Sequence, residues 1–281
     1  MSVLYAALSA LAYGAGDYAG GRATRALNVL GVLFISQAVG LVGIAAAAVA
    51  LRQPLPADSS AVWGAAAGLS GLIGLGSLYR GLSEGSAAIV SPVAAVVGAG
   101  APIIAGVLLG DSPTLTGWLG IAVALPAILL LSLSRGRSAG FETRSLLFAA
   151  VAGIGFGGYF ILIDQSSNDS GLWPLVAART ASIIVIVVIA LVRARLRGPL
   201  VRDSASRGTA AAVIAGGLDM AANVFFLLAI RTGLLVTSSV VSSLYPAPTV
   251  VLSRVLDGQE LGSRRIVGLV LALAGVGLMA A

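Results

Sequence analysis

The 281-residue sequence contains no cysteine and no histidine, and all 17 of its basic residues are arginine. Without cysteine and histidine, the chain has no disulfide, no thiol nucleophile, no imidazole base and no Cys/His metal site. The absence of lysine also excludes the G-x-x-x-x-G-K loop that binds ATP. We therefore expect neither an enzyme nor a bound metal or other cofactor.

Two short motifs match the sequences of known functional sites but lack the partner residue or the structural context that those sites need. Gly68–Gly71 matches the serine motif of a rhomboid-type intramembrane protease, which needs a histidine partner that this chain lacks. Gly153–Gly158 satisfies G-x-G-x-x-G, yet it lies inside an apolar segment without the strand and turn of a nucleotide site. We predict that these glycines serve helix packing instead.

Charged residues are also scarce. They make up 10% of the sequence, against 58% hydrophobic residues and a mean hydropathy of +1.02. An ordinary soluble domain has about 25% charged residues, so this composition predicts an all-α integral membrane protein surrounded by the lipid bilayer. The net charge of +6 fits the arginine bias of cytoplasmic loops rather than a nucleic-acid partner.

A membrane-spanning helix needs about 20 mostly apolar residues. Ten segments meet this requirement: Val3–Gly20, Val29–Leu51, Ala61–Tyr79, Ala87–Leu109, Gly117–Ser134, Leu146–Ile163, Trp173–Val192, Ala211–Ile230, Val236–Leu256 and Ile266–Ala280. The longest connections are 135–145 and 193–207, and neither has room for a soluble domain. The sequence predicts about ten transmembrane helices.

The two halves of the sequence repeat. Without a gap, an offset of 148 residues aligns Gly85 with Gly233, Ser91 with Ser239, Gly110 with Gly258, and Gly120 with Gly268. This register predicts two five-helix units, 1–134 and 146–281. Because each unit has an odd number of helices, the second lies upside down relative to the first, as in the inverted repeats of secondary transporters.

One pair of matching segments is interrupted by proline. The earlier segment contains Pro92 and Pro102, and its counterpart contains Pro246 and Pro248. Interrupted helices at matching places in two halves indicate a substrate site near the membrane midplane, although prolines also kink helices without further function. We predict hinges at these prolines and substrate contacts from the hydroxyls that flank the later pair, namely Ser238, Ser239, Ser242 and Tyr245.

An ionisable residue inside a membrane usually faces a cavity or a partner. Asp219 lies near the centre of its segment, with Asn223 one turn later on the same face. A carboxylic acid in a low-dielectric surrounding releases its proton less readily than in water, so Asp219 is a candidate for proton coupling. The alternative is a permanent ion pair, for which Arg179 is the expected partner. Gln37, on the segment that corresponds to that of Arg179, is a further candidate substrate contact.

Two other residues lie near predicted helix ends. Asp17 closes the first segment and is either a second proton-coupling acid or a solvated acid at the membrane interface. We expect Tyr159 in the aromatic belt at the interface.

Most arginines fall in the odd-numbered connections between segments. Those connections contain Arg22, Arg25, Arg80, Arg135, Arg137, Arg144, Arg193, Arg195, Arg197, Arg202, Arg207, Arg264 and Arg265. Only Arg52 and Arg231 fall in even-numbered ones. Basic residues near helix ends mark the cytoplasmic side, so we predict a multi-pass protein of the cell membrane with both termini outside.

The duplicated five-helix unit resembles the drug/metabolite transporter superfamily, in its ten-helix EamA-type branch of exporters. Ala12–Asp17 is similar to the family's Trp-Gly start, and Gly110–Thr114 and Gly258–Leu261 resemble its short Gly-Glu loop. In the first of these loops Asp111 and Ser112 replace the usual acidic position, so we assign that loop no role. The resemblance implies export of a small metabolite, with amino acids as the first guess. Family members are usually drawn with both termini inside, which opposes the arginine distribution.

These observations predict a secondary transporter, acting as a monomer, that exports a small molecule by alternating access and couples it to protons. Gln37, Arg179, Asn223 and the flanking hydroxyls would bind the substrate, and Arg179 would favour a carboxylate. The alternatives are a flippase for a lipid-linked or drug-like substrate, a non-transporting membrane assembly factor, and a passive channel.

Overall fold

The computed structural model describes residues 1–84, 87–133, 143–197 and 206–281, and the regular structure in these ranges is helical. The helices are α1 (Ser2–Ala23), α2 (Val29–Ala50), α3 (Ser60–Glu84), α4 (Ala87–Leu108), α5 (Leu115–Ser132), α6 (Thr143–Asp164), α7 (Trp173–Arg197), α8 (Ser206–Arg231), α9 (Leu235–Ser242), α10 (Pro246–Asp257) and α11 (Ser263–Ala280). A 3-10 turn, Asn168–Ser170, precedes α7. The all-helical prediction is confirmed. The connections 135–145 and 193–207 lie largely outside the described residues.

Nine spans in the described ranges are long and apolar enough to cross a membrane, with α9 and α10 forming one span. They match nine of the ten predicted segments. The remaining predicted segment is the first one, which corresponds to α1. This helix is as long as α2, at 22 residues, but it contains tyrosines, several glycines, Asp17 and Arg22. Its polar residues lower its hydropathy, and it packs on α8 within the bundle.

Equivalent helices of the two repeats, α1–α5 and α6–α11, make equivalent contacts with the other repeat. The first helix of each repeat packs on the third helix of the other, as α1 does on α8 and α6 does on α3. The first helix also packs on the other repeat's fourth, which is α4 in one case and α9–α10 in the other, and the fifth helices α5 and α11 pack on each other. This reciprocity is expected of inverted repeats, and it confirms the predicted two-repeat architecture.

Glycines allow these helices to approach closely. Gly64 and Gly68 are four residues apart, on one face of α3. A β-carbon at Gly68 would overlap the backbone of Ala178 on α7, and one at Gly64 would overlap that of Pro174. Close backbone contact replaces the hydrophobic driving force that lipid does not supply.

The G-x-G-x-x-G run lies inside α6 and faces two helices at once. A β-carbon at Gly153 would lie 2.8 Å from the carbonyl oxygen of Ala94 on α4, and one at Gly155 would lie 2.5 Å from Cα of Gly74 on α3. The prediction that this run packs helices is confirmed.

The fourth helices of the two repeats differ. α4 runs through Pro92 and Pro102 without a break, whereas its counterpart is divided into α9 and α10 by a turn that ends at Tyr245. Pro246 and Pro248 both lie in the first turn of α10, where a helix has no internal partner for its N–H groups in any case. Two missing donors so close together would interrupt a longer helix, so α9 ends before them and α10 starts at Pro246.

Each repeat places a glycine of its first helix against a proline of the other repeat's fourth helix. A β-carbon at Gly157 in α6 would lie 2.8 Å from Cβ of Ala101 and 3.2 Å from Cδ of Pro102, both on α4. A β-carbon at Gly14 in α1 would overlap both the Pro248 ring and the carbonyl oxygen of Tyr245. The contact at the broken helix is therefore the tighter of the two.

Polar contacts between loops close one end of the bundle, which we call the sealed end. Arg231, the last residue of α8, donates to the carbonyl oxygen of Ser167 at 3.1 Å and to Oγ of Ser170 at 3.0 Å. Leu172 N donates to Oε1 of Gln53 at 2.7 Å. The α2–α3, α6–α7 and α8–α9 connections meet here.

Asp111, to which the sequence assigns no role, belongs to the same end. Its Oδ2 atom accepts a hydrogen bond of 2.8 Å from the backbone nitrogen of Val236, in the first turn of α9. A carboxylate at a helix N-terminus satisfies a free donor and complements the helix dipole. The loop after α4 thereby holds the start of the broken helix.

Candidate functional site

A cavity of about 550 Å³ lies between helices of both repeats. Its lining includes Thr24 just after α1, Ser132 at the end of α5 and Gln259 just after α10. It therefore extends from the middle of the bundle towards the end opposite the sealed end.

The cavity has two walls of different chemistry. The polar wall consists of α1, α8 and α10, and its lining residues include Tyr13, Asp17, Asp219, Asn223, Tyr245 and Thr249. The apolar wall consists of α3, α4 and α6, and its lining residues include Leu72, Leu75, Leu78, Ala94, Ala95 and Phe156. Each wall joins the first helix of one repeat to the third and fourth helices of the other.

A chain of polar contacts crosses the base of the polar wall. Arg179 on α7 pairs with Asp219 Oδ2 and donates to Gln37 Oε1 at 2.6 Å. Asn223 Nδ2 donates to the carbonyl oxygen of Asp219 at 2.6 Å, and Tyr13 donates to Asn223 Oδ1 at 2.9 Å. The Arg179 side chain is 9% exposed and that of Asp219 is 36% exposed. The pair with Arg179, which the sequence offered as the alternative to a proton-coupling role for Asp219, is therefore present, and both charges are satisfied by protein groups.

Asp17 is the exception on this wall. It lies well inside α1, which continues to Ala23, and it is exposed to the cavity. Its carboxylate interacts electrostatically with Asp219 and Tyr245. It has no ion-pair or hydrogen-bond partner among the described residues. Asp17 is therefore a cavity carboxyl group that no protein partner holds in the part of the chain that the structure describes.

Aromatic rings join the two walls at the base. The ring centroids of Tyr13 and Tyr245 are 6.4 Å apart, and those of Tyr13 and Phe160 are 6.5 Å apart. Phe160 packs on Phe226 at 4.1 Å and on Tyr159 at 6.0 Å. Tyr159 lines the cavity, so its expected place in an interfacial belt is wrong. The helix α6 turns this residue inward because its glycine faces pack on α3 and α4.

The sequence-predicted residues divide into two groups. Gln37, Arg179, Asn223, Tyr245, Asp219 and Asp17 all line the cavity. The structure does not bring Ser238, Ser239 and Ser242 there, since each is completely buried on α9. Ser239 donates to the carbonyl oxygen of Val236 within α9, and Ser242 donates to that of Ala6 on α1, so both hydroxyls bond to backbone carbonyls. Of the four prolines, Pro246 lines the cavity, and a hinge role for any of them stays a prediction.

Several cavity residues were not predicted from the sequence, among them Tyr13, Phe160 and Thr249. Two of them carried a signal, because Tyr13 lies one turn before Asp17 and Thr249 one turn after Tyr245. Phe160 reaches the cavity through packing between distant helices, which leaves no local pattern.

Comparison with known proteins places these observations in context. The sequence model of the EamA-like transporter family matches residues 1–133 and 143–281, which covers both repeats. A solved crystal structure of a protein has the same fold, with a TM-score of 0.73 and 18% sequence identity over 99% of this chain and 95% of that chain. No curated protein gives a significant match.

Proposed function

The chain belongs to the EamA-like transporter family, and from this premise we propose that it is a secondary active transporter of a small molecule, with the cavity as its binding site. The observation that supports this most directly is a cavity of about 550 Å³ between inverted repeats, with polar and charged groups at its base. Substrate sites of such transporters lie near the membrane midplane, where two halves meet. We propose a small metabolite such as an amino acid as the substrate.

The two ends of the bundle support alternating access as the mechanism. The cavity extends towards one end, and Arg231, Gln53 and Asp111 make the contacts that hold the sealed end together. Exchange of conformations between the two repeats would open the sealed end and close the other. The break between α9 and α10 provides a turn about which the halves of the fourth helix can reorient.

Asp219 is the proposed site of proton coupling, with Asp17 as a second acid. The negative charge of Asp219 holds Arg179, and through it Gln37. A proton on Asp219 would remove that attraction and release the contact between α7 and α8. Substrate binding and proton binding would then favour different conformations, which is the requirement for coupling two ligands.

The direction we propose is export across the cell membrane. On the arginine distribution, the connections at the open end of the cavity are cytoplasmic, so the described conformation would admit substrate from inside the cell. Both termini would then lie outside.

Counterflow in proteoliposomes tests this proposal. Vesicles are preloaded with amino acids and other small metabolites, and uptake of labelled compounds is measured with and without a proton gradient. We expect saturable exchange in the wild type that responds to the gradient, and exchange without that response in Asp219→Asn. Asp169→Asn, at an exposed loop position of the sealed end, is the matched control and should behave as the wild type.

Two results would contradict the proposal in different parts. If the wild-type protein is folded but exchanges no compound, the proposed carrier function is wrong, and a flippase or an assembly factor is favoured. An unchanged gradient response in Asp219→Asn would keep the carrier but remove Asp219 from the proton path.

A further inference from the structure

The substrate class can be narrowed from the charges in the cavity, an inference that rests on the proposed function. Among the residues that the structure describes, four charged side chains line the cavity: Asp17, Arg179, Asp219 and Arg265. Arg179 and Asp219 neutralise each other at its base, and Arg179 also donates to Gln37. With its side chain only 9% exposed, Arg179 has little surface left for a substrate carboxylate. This weakens the sequence-based prediction that Arg179 selects for an anion.

Asp17 is in the opposite situation. Its carboxylate is exposed to the cavity and lacks a partner among the described residues. Arg22, further along the same helix, is already held by Tyr18 and Asp257. Arg265 stands at the start of α11, by the open end, and makes no ion pair with Asp17 among the described contacts. An unpaired carboxylate in a partly dehydrated cavity favours a cation as its ligand.

The surroundings of Asp17 suit an organic cation in particular. Tyr13, one turn earlier on α1, and Tyr245 both line the cavity, and their rings lie 6.4 Å apart at centroid distance. Aromatic faces attract ammonium groups, most strongly where water is partly excluded. The opposite wall offers Leu72, Leu75 and Phe156, which would cover an apolar substituent.

We propose that the transported substrate is an amphipathic organic amine, with its ammonium group paired to Asp17 beside the rings of Tyr13 and Tyr245 and its apolar part against the apolar wall. A carboxylate on the substrate is not required for binding and opposes it, because it would approach Asp17 and the carboxylate of Asp219. The amine therefore replaces the amino acid named above as the example of a small metabolite. Among compounds of one skeleton, affinity should therefore fall from the amine to the zwitterion to the acid.

A matched series of probes tests this order. Phenethylamine, phenylalanine, 2-phenylethanol and 3-phenylpropionate share a phenyl group and differ in the charge at the other end. Equilibrium binding of labelled phenethylamine to the purified full-length protein is measured first, and the other three compounds are added as competitors. We expect phenethylamine to bind at least ten-fold more tightly than 3-phenylpropionate, with phenylalanine between them and the neutral alcohol weaker than the amine.

Variants locate the site. Asp17→Asn should weaken phenethylamine binding at least ten-fold while leaving the binding of 2-phenylethanol within about two-fold. Asp17→Glu, which restores the charge, should recover part of the loss. Asp169→Asn removes a carboxylate at the sealed end and should leave all four affinities unchanged.

Binding in detergent does not depend on transport, so the two proposals fail separately. Equal or tighter binding of 3-phenylpropionate, wild-type protein that is folded but does not bind phenethylamine, or full phenethylamine affinity in Asp17→Asn would each overturn the amine proposal. If phenethylamine binds as expected but no compound exchanges across vesicles, the cation site stands and the transporter function falls.

Discussion

The polar and the apolar wall of the cavity are built in the same way and carry different chemistry. Each consists of the first helix of one repeat with the third and fourth helices of the other. At its centre, α8 presents Asp219 and Asn223 to the cavity, whereas α3 presents Leu72 and Leu75. Repeat symmetry in this fold therefore determines which helices touch, but not what they bind. Helix contacts need only small residues at the crossing points, so lining residues can differ between the repeats without loss of packing.

Removal of Asp219 should destabilise the polar wall most. Asp219→Ala leaves the guanidinium of Arg179 buried with only Gln37 as a partner, and breaking a buried pair costs about 3–5 kcal/mol. Because the Asp219 side chain is 36% exposed, we expect a loss near ~3 kcal/mol, measured by unfolding in mixed micelles. Arg179→Met should cost less, since the remaining carboxylate reaches water or takes up a proton. A larger loss in Arg179→Met would contradict this account of the pair.

The glycine contacts of the two walls should respond unequally to one added methyl group. Gly14→Ala places a β-carbon into the Pro248 ring and the Tyr245 carbonyl, and overpacking of this kind costs about 1–3 kcal/mol. Gly157→Ala meets Cβ of Ala101 at 2.8 Å and the carbonyl oxygen of Gly98 at 3.1 Å, so it should also destabilise the protein, but less than Gly14→Ala, whose nearest contacts are closer. A lower melting temperature in Gly14→Ala than in Gly157→Ala is the expected result. Gly277→Ala, with nothing within 4 Å, is the control and should be neutral or stabilising.

A polar residue on the apolar wall should weaken the binding of an amphipathic amine. Leu75→Asn removes an aliphatic surface that would cover the phenyl group of phenethylamine, and we expect about a five-fold weaker affinity, or ~1 kcal/mol. Leu75→Met keeps the apolar volume and should bind as the wild type does. If both variants bind as the wild type does, the substrate does not reach this wall.

Of the two carboxylates on the polar wall, Asp17 should contribute much less to stability than Asp219. Asp17 has no partner among the described residues and lies in the field of Asp219, so Asp17→Asn removes a repulsion rather than an attraction. Its free energy of unfolding should stay within about 0.5 kcal/mol of the wild type, or rise. A loss comparable to that of Asp219→Ala would show that a group outside the described residues pairs with Asp17.

The sequence predicts much of this fold because membrane helices are marked by length and apolarity alone. It also names Arg179 as the partner for Asp219 if that acid is paired, since few ionisable residues lie deep in the bundle and they need partners. It does not predict that α4 passes through two prolines while α9 and α10 separate. That outcome depends on proline spacing and on glycines of a distant helix. The sequence also does not predict that the serines of α9 lie away from the cavity, because a hydroxyl that bonds to a backbone carbonyl, as those of Ser239 and Ser242 do, looks the same in sequence as one that faces a substrate.

The hydrogen bonds of the sealed end bear on how often the protein would change conformation when no substrate is bound. A protein hydrogen bond contributes about 1 kcal/mol, and one to a charged group somewhat more. If the protein alternates between two facing states as proposed, the bonds of Arg231, Gln53 and Asp111 would bias the empty protein towards one of them by a few kcal/mol, or roughly a hundred- to thousand-fold in population. With the proposed proton coupling, an empty carrier so biased would rarely turn over, which would limit the uncoupled leak of protons. The substrate would then have to bind the other facing state more strongly, because that difference in binding free energy is what would break these hydrogen bonds.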